Sequence, residues 1–208
     1  MNLHGWLVFA AFWAVFVTTP GPNAVNCITN GMTYGFRRAL WGVLGILTQA
    51  TLFLFLSALG VTALIAASPA AFFYAKLIGA AFLVFLGVRG WIVAARPVTL
   101  SQAHGRHIYM RALAIATINA KSVAGYLAAF SQFVQPEVPI WGQMAAIVPT
   151  ALMITALSYT GYTALGAGLG RLAYGAIMNF WFRRIMALCF IGYGLALGLA
   201  GAPEFRRV

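Results

Sequence analysis

From Ala39 to Ala75 no side chain carries a charge. A membrane-crossing helix needs about 20 predominantly apolar residues, so this stretch is too long for one span and too apolar for a water-facing surface. Ser68-Pro69 divides it, because the residue before a proline is pushed out of the helical region. The rest of the chain extends the pattern: 62% of its 208 residues are hydrophobic and 7% are charged, against about 45–50% and about 25% in soluble domains. A soluble globular fold is excluded, and so is intrinsic disorder, which requires low hydrophobicity. The sequence reads as an all-α polytopic membrane protein, since none of its apolar runs has the alternation of a barrel strand.

Six transmembrane helices are predicted in a single membrane domain covering residues 1–208. The first span runs from 3 to 36 and is broken at 20–22. The others cover about 39–67, 70–94, 108–133, 140–169 and 184–201, and Pro149 predicts a kink in the fifth. The first run lacks a basic leader and ends in Thr18-Thr19-Pro20-Gly21-Pro22 rather than a small-x-small cleavage site, so it reads as a retained span. Three spans per half would make the halves inverted copies, with broken helices near the midplane.

The formal charge is +11, with 13 Lys and Arg against only Glu137 and Glu204. No basic stretch is interleaved with aromatics as a strand-binding groove would be, so nucleic acid is not an expected partner. In this setting arginines set orientation and meet anionic lipid headgroups. Arg37, Arg38, Arg89, Arg96, Arg106, Arg111, Arg171, Arg183 and Arg184 fall on one side of a six-span topology, and only Arg206 and Arg207 on the other. The positive-inside rule then makes the first side cytoplasmic and puts both termini outside.

Polar residues within hydrocarbon carry the functional information. Lys76 lies about seven residues past Pro69, ~10 Å below one boundary, and Lys121 lies ~20 Å from the other. For Lys76, snorkelling to the headgroups competes with a functional role. Lys121 is too deep for easy snorkelling. Neither has a membrane-embedded acid to pair with, so backbone carbonyls, Asn119, Asn23, Asn26, Thr18, Thr19 or a bound anion are the expected partners. Positive charge and helix N-termini without a carboxylate suit a substrate carboxylate. Gln49, Thr155, Ser158, Tyr159 and Tyr162 read mainly as packing contacts. Asn119 and Lys121 stand about 200° apart on a continuous helix and share a face only if span four unwinds.

The run Thr19-Pro20-Gly21-Pro22-Asn23 is similar to the signature of the LysE/RhtB-type amino-acid exporter family. Lys76-Leu-Ile-Gly79-Ala-Ala-Phe-Leu-Val-Phe-Leu-Gly87 resembles its third-span pattern, and Asn119-Ala120-Lys121 with Ser131-Gln132-Phe133 resembles its Asn-Pro-Lys and Pro-Gln-Phe elements. The resemblance implies a six-helix plasma-membrane exporter of amino acids driven by the proton-motive force. Carried over position by position, it points to Pro20, Gly21, Pro22, Asn23, Lys76, Asn119 and Lys121 as substrate-binding residues. Ala120 and Ser131 replace two prolines of the pattern, and Thr155 stands where some members carry Asp. Ala120 thereby removes the residue that would promote a break in span four.

The leading function is a secondary transporter that exports a small neutral amino acid or related carboxylate. A thiol-redox relay through Cys27 and Cys189 is one alternative, and a non-transporting scaffold subunit is another. No CxxC, metal-ligand set, serine–histidine pair or paired carboxylates occur, so neither an enzyme nor a metal or other cofactor is expected. Gly31-x-x-x-Gly35, Gly166-x-x-x-Gly170 and Gly194-x-x-x-Gly198 are expected to pack helices within the monomer. The last is also compatible with a homodimer seam on span six.

Overall fold

The computed structural model describes residues 3–67, 69–95, 107–177 and 179–200. These form eight helices and no strand: α1 (Leu3–Thr18), α2 (Pro22–Ala67), α3 (Pro69–Val93), α4 (Ile108–Ile118), α5 (Ala120–Phe133), α6 (Ile140–Leu169), α7 (Arg171–Ile177) and α8 (Phe180–Ala200). The all-helical expectation holds. There are eight segments rather than six because the first and fourth apolar runs are each divided, a short α7 precedes α8, and α2 joins the second half of the first run to the second span. The arginine pair belongs to the last helix instead of preceding it: Asn179 Oδ1 accepts from the Trp181 amide at 2.8 Å and starts α8 ahead of Arg183. Pro149 is accommodated inside α6.

Within α2, Gly35 leaves helical geometry at φ 73°, a region that a residue without Cβ enters at little cost. A Cβ built on Gly42 would lie 3.0 Å from Asn30 Nδ2. On a straight helix those residues would stand about 18 Å apart. The chain therefore folds back at Gly35 into two arms, 22–34 and 36–67.

The burial pattern is that of a protein in lipid. Leu52, Leu59, Ile78, Ile185 and Leu199 are exposed, while Asn23, Gln49, Gln143 and Thr163 are buried. Helix α1 is the centre of the packing. Phe9, Phe12, Trp13 and Phe16 recur at helical spacing and are almost wholly buried, with ring contacts to Tyr126, Phe133, Phe190 and Tyr193. The Trp13 indole donates to Ala151 O and Thr155 Oγ1, both at 3.0 Å. Thr155 thus fastens α1 to α6.

Glycines bring the helices together as expected, with a division of labour inside each motif. A Cβ on Gly31 would collide with the Thr163 carbonyl, and one on Gly166 with the Ile28 carbonyl, so this pair closes the α2–α6 seam. Their partners Gly35 and Gly170 instead take positive φ at chain turns. Gly87 and Gly194 close the α3–α8 seam against Ala187 and Ala80. The Gly194 face is therefore already occupied by α3.

Candidate functional site

Two prolines write the first break. In a continuous helix Phe16 O and Thr18 O would accept from the amides at positions 20 and 22, and proline has none. The helix stops at Thr18, and a new one starts at Pro22, with Gly21 O accepting from the Val25 amide at 3.0 Å. Proline in the first helical position suits its fixed φ. The Thr18 and Thr19 hydroxyls bond back to Ala14 O at 2.5 Å and Val15 O at 2.6 Å. The displaced carbonyls find distant partners: the Tyr162 hydroxyl donates to Thr18 O, and Lys121 Nζ donates to Thr19 O at 2.8 Å.

A second break opens at Asn119 without a proline. Asn119 leaves helical geometry (φ −71°, ψ 104°), closing α4 and capping α5, and its Oδ1 accepts from the Lys121 amide at 3.2 Å. An asparagine in this position satisfies one of the amides that a helix start leaves unpaired. Ala120 therefore does not keep the span continuous, contrary to what the lost proline suggested. Unwinding at Asn119 removes the 200° separation, so Asn119 and Lys121 line the same space.

Lys121 joins the two breaks. Its ammonium lies 5.1 Å from the Phe16 ring centre and 5.9 Å from that of Phe190, close enough for attraction to both ring faces. Among the described residues no acid stands near. Glu137, the acid among the described residues, is exposed in the turn between α5 and α6. Gln143 orders that turn, donating to Gln135 O at 2.9 Å and Val138 O at 2.8 Å.

A cavity of about 730 Å³ opens beside this junction. Thr19, Pro20, Gly21 and Pro22 line it from the first break, and Asn119 and Lys121 from the second. The starts of both α2 and α5 thus face it, each with the partial positive charge of a helix N-terminus. Arg89 of α3, Arg111 of α4 and Arg183 of α8 line it as well. Arg183 donates to Val93 O at 2.8 Å and Ala94 O at 3.1 Å, capping the end of α3. A small recess alongside is lined by Asn23, Tyr126 and Tyr159 and shares Thr19, Gly21, Asn119 and Lys121 with the cavity.

Of the residues expected from the sequence, Pro20, Gly21, Pro22, Asn119 and Lys121 come together at the cavity, with Asn23 in the recess. Lys76 falls within α3, but its side chain lies outside the described residues. The sequence reading missed three features. It treated Tyr162 mainly as packing, it gave Phe16 and Phe190 no role toward Lys121, and it assigned Arg89, Arg111 and Arg183 only to orientation. A usable signal existed for Tyr162, because a carbonyl freed by Pro22 requires a donor from another helix. Cys27, buried in α2, and Cys189 in α8 are both free thiols.

The family model for LysE type translocators matches residues 14–201. The chain belongs to this family. It is therefore a membrane transporter, not an enzyme. A Vibrio cholerae protein named as an uncharacterized membrane protein is 35% identical over 97% of this chain and 100% of its own length. The homoserine/homoserine lactone efflux protein of Salmonella typhimurium is 28% identical over 79% of this chain and 82% of its own. The leucine efflux protein of the same organism is 27% identical over 79% and 78%. No solved structure matches. In this LysE-family chain both helix breaks and Lys121 fall inside the matched region.

Proposed function

We propose that the chain is a secondary transporter of the plasma membrane that exports small neutral α-amino acids, with the substrate carboxylate held at Lys121 between the starts of α2 and α5. The observation that carries this reading is the junction itself. One ammonium and two helix N-termini face a common cavity, and no carboxylate stands among its lining residues. Such a site, with Arg89, Arg111 and Arg183 also on its wall, attracts a negative group and offers no ionic partner to a second ammonium. Homoserine and leucine, named for two relatives, are neutral α-amino acids and agree with this; homoserine lactone, also named for the first, shares their α-ammonium and has no free carboxylate. Lysine or arginine would bring an uncompensated charge at a cost of several kcal/mol.

The same reading takes the chain as six spans in two inverted halves. Its support is the pattern of helix packing: α2 lies on α6 and α3 on α8, while α1 packs on α6 as α4 packs on α2. Exchanging the halves maps α2–α6 and α3–α8 onto themselves and α1–α6 onto α4–α2. With the arginine side cytoplasmic and both termini outside, Arg89, Arg111 and Arg183 stand at a cytoplasmic mouth, and the cavity is open for loading from inside. Efflux from preloaded cells against a panel of amino acids, with and without a protonophore, tests the function. Neutral amino acids are expected to leave fastest and to slow when the proton gradient collapses. Lysine or arginine as the best substrate would overturn the reading.

A further inference from the structure

Asn23, Asn26 and Asn30 recur at i, i+3 and i+7 along the arm 22–34, which places them on one stripe of a helix. They are only 4%, 6% and 2% exposed, and each has an amide atom without a hydrogen-bond partner. Within hydrocarbon an orphaned amide is costly, so such atoms call for a polar occupant. Asn30 packs toward Gly42, away from the cavity. The other two face the junction: Asn26 lines the cavity and Asn23 lines the recess that shares Lys121 with it.

Their unmatched atoms are complementary. Asn23 leaves its acceptor, Oδ1, unpaired, and Asn26 leaves its donor, Nδ2. Tyr159 stands with Asn23 in the recess. Residues three apart on a helix hold their Cβ atoms about 5–6 Å from each other, so one acceptor and one donor sit side by side on residues whose cavity and recess both border Lys121. A free α-amino acid presents the inverse pattern, a carboxylate and an ammonium on a single carbon. We propose that Asn23 and Asn26 read those two ends: Asn26 Nδ2–H donates to the carboxylate that Lys121 holds, and Asn23 Oδ1 accepts from the α-ammonium. This rests on the carboxylate site proposed above and adds selection for the free zwitterion. N-acylated analogues lose the contact with Asn23, and esters lose those with Asn26 and Lys121, so both bind more weakly than the free acid. A neutral amide acceptor suits this role because it receives the α-ammonium without creating a site for polycations.

The test is competition by N-acetyl-L-leucine and L-leucine methyl ester against radiolabelled L-leucine, repeated with L-homoserine, on the full chain in lipid nanodiscs. The unsubstituted protein is expected to prefer the free acid by about tenfold or more over both analogues, the worth of one hydrogen bond to a charged group. Asn23→Ala should erase most of the discrimination against the N-acetyl compound and leave that against the ester. Asn26→Ala should do the reverse. Asn23→Asp keeps the shape and the acceptor, and it should raise affinity for the cationic ester severalfold. It decides the matter if an alanine variant fails to fold. Unchanged ratios in both alanine variants, with Lys121→Ala abolishing binding, would overturn this inference and leave the carboxylate site standing. No binding of either amino acid by the unsubstituted protein would overturn both.

Discussion

The two helix breaks that meet at Lys121 are built by different means. The first is written into the covalent chain, since Pro20 and Pro22 delete the donors that Phe16 O and Thr18 O would need. Nothing in its environment could restore a straight helix there. The second has every backbone donor in place and opens because Asn119 caps the following helix. It is conditional on a side chain, and on Lys121 reaching across to Thr19 O. The first break is therefore a fixed element, and the second depends on contacts that a substrate can compete for. A carboxylate that draws Lys121 away from Thr19 O frees a carbonyl of the fixed break, whose prolines still keep it open, and loosens the conditional one.

Closing the fixed break should have the largest effect. Replacing both Pro20 and Pro22 by alanine returns two backbone hydrogen bonds worth ~1 kcal/mol each, so efflux should fall by roughly 30-fold while insertion persists. Efflux at an unchanged rate would show that the break is dispensable. Tyr162→Phe comes next. It leaves Thr18 O without its donor, for a loss of about 1–3 kcal/mol in stability, read as a lower midpoint in thermal unfolding of the detergent-solubilised protein. Asn119→Ala removes the cap of α5 for about 1 kcal/mol. Efflux should drop about fivefold, a smaller loss than at the prolines. A larger one would reverse the ranking of the two breaks. The smallest change is Ala120→Pro. Position 120 opens α5, where proline is well accommodated, so it should stabilise by about 0.4–1 kcal/mol. It should also make the second break as permanent as the first, slowing any step that needs it to close.

This contrast also explains what could be read from the sequence. Helix class follows from hydropathy, and the first break from proline chemistry, because both are local properties of the chain. The glycine seams follow as well, although which glycine packs and which one turns does not. Gly35 and Gly31 look alike in sequence and differ only in what faces them. The second break was legible as the polar insertion Asn119-Ala120-Lys121-Ser122 and through resemblance, and the exchange of proline for Ala120 argued against it. A capping asparagine gives a weaker signal than a missing donor. The basic mouth was not legible at all. Arg89, Arg111 and Arg183 lie on three helices, and only the packing of α3, α4 and α8 brings them to one cavity.

The most direct measurement compares Lys121→Ala with the unsubstituted protein in binding radiolabelled L-leucine and L-homoserine, alongside each protein's unfolding midpoint. If Lys121 is the group that joins the breaks and holds the carboxylate, affinity should fall by about 10–100-fold, the worth of a hydrogen bond to a charged group. The protein should still insert and fold. Full affinity and undiminished efflux in Lys121→Ala would contradict the site and leave the lysine a structural tie between two broken helices.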